Sequence, residues 1–141
     1  MIAIINGPNL NLLGRRQPEI YGSETFENYL RSLREKFPDV AIEYFQSNSE
    51  GEIIDKLHRL GYDGRECKGI VINPGAYSHY SYAICDAISS IPVPVVEVHI
   101  SNIMSRDDFR HKSVTAPSCR GMLTGFGLDG YEMAVRFLQS L

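Results

Sequence analysis

MIAIINGPN, residues 1–9, sets a short apolar run ahead of a cluster of turn formers, Asn6, Gly7, Pro8 and Asn9. An unbroken apolar run closed in this way is the pattern of a strand buried on both faces. It opens an alternation that runs the length of the chain. Phe26, Tyr29, Leu30, Leu33 and Phe37 fall at helical spacing before Pro38, which predicts a helix over 24–37. Val40, Ile42 and Tyr44 alternate with Ala41, Glu43 and Phe45 as a second strand. Ser49-Glu50-Gly51-Glu52 has capping-box form ahead of Ile53, Ile54, Leu57 and Leu60, and Gly61 is expected to stop that helix. Apolar runs predict three more strands over 69–72, 93–99 and 121–126. Ala83, Ile84, Ala87 and Ile88 form one helical stripe, and Tyr131, Ala134, Val135 and Leu138 another. Ser105-Arg106-Asp107-Asp108 has capping-box form on a short helix between the last two strands.

Strands that do not alternate in polarity need cover on both faces, so this series without repeat or linker predicts a single α/β domain over 1–141 with a parallel sheet. Its simplest arrangement is the flavodoxin-like order 2-1-3-4-5, five strands with helices on both faces, and ligands then bind beyond the carboxyl ends where the winding reverses. A hydrophobic content of 43% in 141 residues fills one core without disulfides or a structural metal. The net charge of -3 lacks the basic footprint that drives binding to a phosphate backbone, so nucleic acid is not an expected partner. No run approaches the ~20 apolar residues of a membrane span. The apolar start is too short for a signal peptide and lacks its basic flank. A soluble, cytoplasmic chain is expected, with Cys67, Cys85 and Cys119 as reduced thiols at unrelated spacings.

The predicted crevice gathers polar residues from three loops: Asn9, Arg15, Arg16 and Tyr21 after the first strand, Asn73 and His79 after the third, and Glu97 and His99 at the end of the fourth. Several chemistries lack their residues. The first loop has neither GxGxxG nor GxxxxGK[ST], and Pro8 removes an N–H that a phosphate cradle would use. Asn6 and Asn73 stand where a phosphorylated receiver domain needs carboxylates, and no GxSxG elbow occurs. None of Lys36, Lys56, Lys68 and Lys112 ends an apolar strand, which argues against Schiff-base catalysis. Glu97, His99 and His79 lack HxxxH or HxH spacing, so no metal is expected. His58 and His111 read as a helix-surface and a loop residue. Arginines 15, 16, 106 and 110, with asparagines and histidines, suit a small oxygen-rich carboxylate. Spacing alone leaves two readings of His99: a satisfied core histidine, or an imidazole oriented by Glu97, which strand period puts on the same face. It also leaves open a non-enzymatic module for flavin or a small anion, and an isomerase that forms an enolate on sugar phosphates.

Three motifs resemble those of the type II 3-dehydroquinate dehydratases: NGPNLNLLGRRQPEIYG (6–22), NPGAYSHYSYAICDAI (73–88) and EVHISNIMSRDDFRHKS (97–113). The likeness continues to the GFGLDGYEMAV run near the end. The resemblance implies a flavodoxin-like subunit in a homododecamer built of trimers, no cofactor, and dehydration of 3-dehydroquinate to 3-dehydroshikimate, a step of the shikimate pathway to aromatic amino acids or of quinate breakdown. It implies Tyr21 as base, Arg16 as its electrostatic partner, His99 as acid, and Asn9 as holder of a water that stabilises the enolate. Asn73, His79, Ile100, Ser101 and Arg110 would bind substrate, Glu97 would support them, and Asp86 would reach a neighbouring subunit's site. The magnitudes are consistent. Lowering a tyrosine from a pKa of about 10 by about three units asks for ~4 kcal/mol. One guanidinium about 4 Å away at an effective dielectric of about 20 supplies ~4 kcal/mol.

Overall fold

The structure is a computed structural model that describes residues 1–21, 23–63 and 66–141, less the side chain of Tyr21. Five strands, β1 (Ile2–Asn6), β2 (Ile42–Gln46), β3 (Gly69–Asn73), β4 (Val95–His99) and β5 (Gly121–Thr124), pair in the order β2-β1-β3-β4-β5. Every pairing is parallel, and the order is the flavodoxin-like one expected from the run of β/α units. The helices are α1 (Pro18–Tyr21), α2 (Phe26–Lys36), α3 (Glu50–Tyr62), α4 (Tyr82–Ser90) and α5 (Asp129–Gln139).

Alternate residues of the central strands divide the core in two. Ile2, Ile4, Val71, Val96 and Val98 meet Phe26, Leu30 and Leu33 of α2 and Tyr131, Ala134, Val135 and Leu138 of α5. Ala3, Ile5, Ile70 and Ile72 meet Ile53, Leu57 and Leu60 of α3 and Ile84, Ala87 and Ile88 of α4 on the other face. β1 and β3 are buried on both faces, which is why they are apolar up to their terminal asparagines, and β4 is buried throughout although it carries Glu97 and His99. Cys67, Cys85 and Cys119 are free and half-buried, Cys67 and Cys119 against the second of these clusters.

Several local expectations are corrected by tertiary contacts. Gly61 does not stop α3, which continues through Tyr62; a Cβ on Gly61 would lie 2.5 Å from the Ile91 side chain, so the glycine serves the close approach of α3 to the end of α4. Ser49 does cap α3, accepting from the Glu52 N–H at 3.3 Å. The box stays half made, because the Glu52 carboxylate takes the Ser47 hydroxyl while the Ser49 N–H donates to Ser47 Oγ. The predicted helix at 105–108 is instead two 3-10 turns, Ile103–Ser105 and Asp108–Arg110, and Asp107 makes no side-chain cap bond. Arg106 between them is extended, and its carbonyl is held by His111 Nε2 at 2.8 Å. Ala83 is exposed, outside the buried stripe of α4. β5 ends at Thr124, before Gly125 turns the chain at φ 92°.

Candidate active site

The site is built where three strands end. Asn6 and Asn73 are register partners at the ends of β1 and β3. Tyr131 of α5 clips them together: its hydroxyl donates to Asn6 Oδ1 at 2.8 Å and accepts from Asn73 Nδ2 at 2.9 Å. Beyond them the two loops nearly touch, for a Cβ on Gly7 would lie 2.5 Å from the Pro74 carbonyl oxygen. Glu97 and His99 close the third side from β4.

These ends enclose a cavity of about 150 Å³ lined by Asn9, Arg16, Asn73, His79, His99, Ile100, Ser101, Arg106 and Arg110, with Leu10, Leu12, Leu13 and Ile103 as an apolar wall. Three arginines and no carboxylate line it among the described residues, so its field favours an anion. The buried Nε of Arg110 has no hydrogen-bond partner among the described residues, and its guanidinium lies against the Phe109 ring. An oxygen-rich ligand would satisfy that donor.

The histidines are fixed differently. His99 Nε2 meets Glu97 Oε2 at 2.8 Å. A carboxylate oxygen only accepts, so Nε2 carries the proton and Nδ1 is the other ring position. His79 Nδ1 donates to the Lys112 carbonyl at 2.8 Å. Burial lowers the pKa of His79, the nearby His99 and Arg110 push the same way, and the Lys112 carbonyl opposes them.

Asn9, Arg16, Asn73, His79, His99, Ile100, Ser101 and Arg110 are thus brought together as expected, and fully buried Glu97 stands directly behind His99. Arg15 is exposed and is not part of the lining. Asp86 is exposed on α4 and does not reach this cavity. Tyr21 ends α1, and its side chain lies outside the described residues. Sequence reasoning missed Tyr131, counted only as a core residue, and gave no role to Ser113 and Thr115. Among the described residues no group of three or more His, Cys, Asp or Glu is placed to hold a metal ion.

A family model for dehydroquinase class II matches residues 1–139. The chain belongs to the class II dehydroquinases. It is 52% identical to the 3-dehydroquinate dehydratase of Caldicellulosiruptor bescii, over 99% of this chain and 97% of that one. Against the 3-dehydroquinate dehydratase of Thermotoga neapolitana it is 50% identical, with coverage of 99% and 94%. Among solved structures, the type II dehydroquinase of Butyrivibrio crossotus superposes with a TM-score of 0.93 at 50% identity, covering 98% of this chain and 96% of that one.

Proposed function

We propose that the cavity removes water from 3-dehydroquinate through an enolate, with Tyr21 as base, His99 as acid and one domain over 1–141 supplying both. Family membership makes the chain a hydro-lyase, a 3-dehydroquinate dehydratase. The roles of its residues are the proposal. Tyr21, with Arg16 stabilising its phenolate, takes the proton next to the ketone. A water on Asn9 and the cationic cavity stabilise the enolate charge that develops. Imidazolium His99, oriented by Glu97, gives its Nδ1 proton to the departing hydroxyl, and the proton taken by Tyr21 returns to His99 through solvent. Asn73, His79, Ile100, Ser101 and Arg110 hold the substrate's oxygens. The reaction requires no cofactor in this scheme, because base, acid and charge stabilisation all come from the chain.

The observation that carries this reading is the cavity itself, where among the described residues three arginines and no carboxylate surround a histidine backed by a buried glutamate. The same reading places the chain in a cytoplasmic homo-oligomer, a dodecamer of trimers. Asp86 supports it by standing exposed on α4, where it is free to enter a neighbour's site. Free cysteines suit a reducing compartment, and no helix among the described residues is long and apolar enough to cross a membrane. Adding 3-dehydroquinate and following ultraviolet absorbance tests the activity, since the product is a conjugated enone carboxylate. Absence of an absorbance rise, or full activity from a species that light scattering shows to be a monomer, would overturn the corresponding part.

A further inference from the structure

One short segment, 112–116, holds both histidines of the cavity, and the mechanism above uses neither of its hydroxyl groups. Its backbone is pinned by the Val114 N–H donating to the Ser78 carbonyl at 2.7 Å. From there the Lys112 carbonyl meets His79, and two hydroxyls meet the carboxylate behind His99. Ser113 Oγ donates to Glu97 Oε2 at 2.6 Å, and Thr115 Oγ1 donates to Glu97 Oε1. Ser113 Oγ already accepts the Ala116 N–H at 3.0 Å, which leaves its proton free to give. Glu97 and Thr115 are fully buried.

We propose that Ser113 and Thr115 are positioning residues for the dehydration: by meeting both oxygens of Glu97 with donors, they hold the carboxylate in one rotamer and keep the His99 proton on Nε2, so that Nδ1 serves the substrate. A carboxylate fixed at both oxygens offers the imidazole a single acceptor in a single place. Without the Thr115 hydroxyl, Oε1 loses its donor in a buried site, and without the Ser113 hydroxyl, Oε2 keeps only His99; either way the carboxylate gains a reason to rotate or to draw the imidazole proton away. The two rings, with centroids 6.3 Å apart, are thereby held to opposite nitrogens. His79 is fixed through Nδ1 and His99 through Nε2. This inference rests on the reading of His99 as the acid.

The test combines kinetics with histidine NMR on the intact protein. Thr115→Val keeps the shape and removes the hydroxyl; loss of one hydrogen bond to a charged group predicts a kcat lower by about tenfold, with KM within about twofold. Thr115→Ser should restore kcat, and Ser113→Ala should resemble Thr115→Val. Nitrogen-15 shifts of labelled histidine, assigned with His99→Gln, should show a protonated His99 Nε2 in the unaltered chain and mixed tautomers in Thr115→Val. Unchanged kcat in both hydroxyl-deleted variants, failure of Thr115→Ser to rescue, or a wild-type His99 protonated at Nδ1 alone would each overturn the proposal. Should Thr115→Val not fold, Ser113→Ala and the wild-type spectrum decide. An unaltered chain inert toward 3-dehydroquinate overturns the functional reading instead, and the tautomer spectra still judge the positioning role.

Discussion

The two sides of the cavity are held in different ways. On the β4 side Glu97 is fully buried and meets three donors, His99 Nε2, Ser113 Oγ and Thr115 Oγ1, two of them from a segment more than a dozen residues away in sequence. On the β1 side, residues 9–20 are bonded mostly to themselves: the N–H groups of Leu12, Leu13, Arg15, Arg16 and Ile20 donate to carbonyls three or four residues back. Buried Leu10 and Leu13 anchor that segment, and the Asn9 N–H ties it to Asn48 Oδ1 at 3.0 Å. Asn9, Gly14 and Gln17 all have positive φ, at 69°, 89° and 43°, which costs the non-glycine residues of order 1 kcal/mol each. The proposed acid, held by long-range bonds in a buried site, is pre-organised. The proposed base sits at the end of a segment held mostly by local bonds, with fewer long-range ties to fix it.

The contrast can be broken first at its locally bonded end. Tyr21→Phe removes only the phenolic oxygen, and turnover should fall by about 10²–10⁴-fold while a substrate-like inhibitor still binds. Near wild-type turnover in the absorbance assay would move the base elsewhere. Next, His99→Ala should lose product formation by about 10²-fold or more yet still exchange the substrate's C2 proton with deuterated water, read by NMR. Product formation at a near wild-type rate would shift the acid to His79. Arg16→Lys should then slow turnover by about tenfold, because a flexible point charge replaces a fixed planar fork. The acidic limb of the rate profile, where activity rises as the base ionises, should also move to higher pH. An unchanged profile with an unchanged rate would remove Arg16 from the mechanism.

The smallest effect concerns stability. The folded chain holds the His79 pKa below its ordinary value, chiefly by burial, so the unfolded chain binds the proton first as pH falls. Stability should therefore be fully present above about pH 6.5 and decline below it, levelling once the folded form is also protonated. Replacing His79 with glutamine should flatten this acid slope in chemical denaturation at a series of pH values. An equal slope in both proteins would show that other groups carry it.

Much of this arrangement was legible beforehand. Continuous apolar runs in β1 and β3 announced a sheet covered on both faces, since periodicity is a local property of which atoms must leave water. The cavity residues Asn9, Asn73, His79 and His99 were legible too, because parallel strands put their carboxyl ends on one side and loops there have little else to do. Local signals failed where a distant group won. Gly61 reads as a helix stop until Ile91 is brought against it. The capping-box pattern at 105–108 yields to the bonds of Arg106 and His111.

The sequence by itself determined the α/β class, the strand order and the three loops that line the cavity, all set by hydrophobic period and by turn residues close in the chain. Only the tertiary structure decided which neighbours complete the site. Tyr131 lies 58 residues from Asn73, and Thr115 lies 18 residues from Glu97. Nothing in their local spacing marks them, because their partners are chosen by how α5 and the segment before β5 dock on the sheet. A hydroxyl in a sequence is only polar; buried beside one carboxylate oxygen, it becomes a donor to that oxygen.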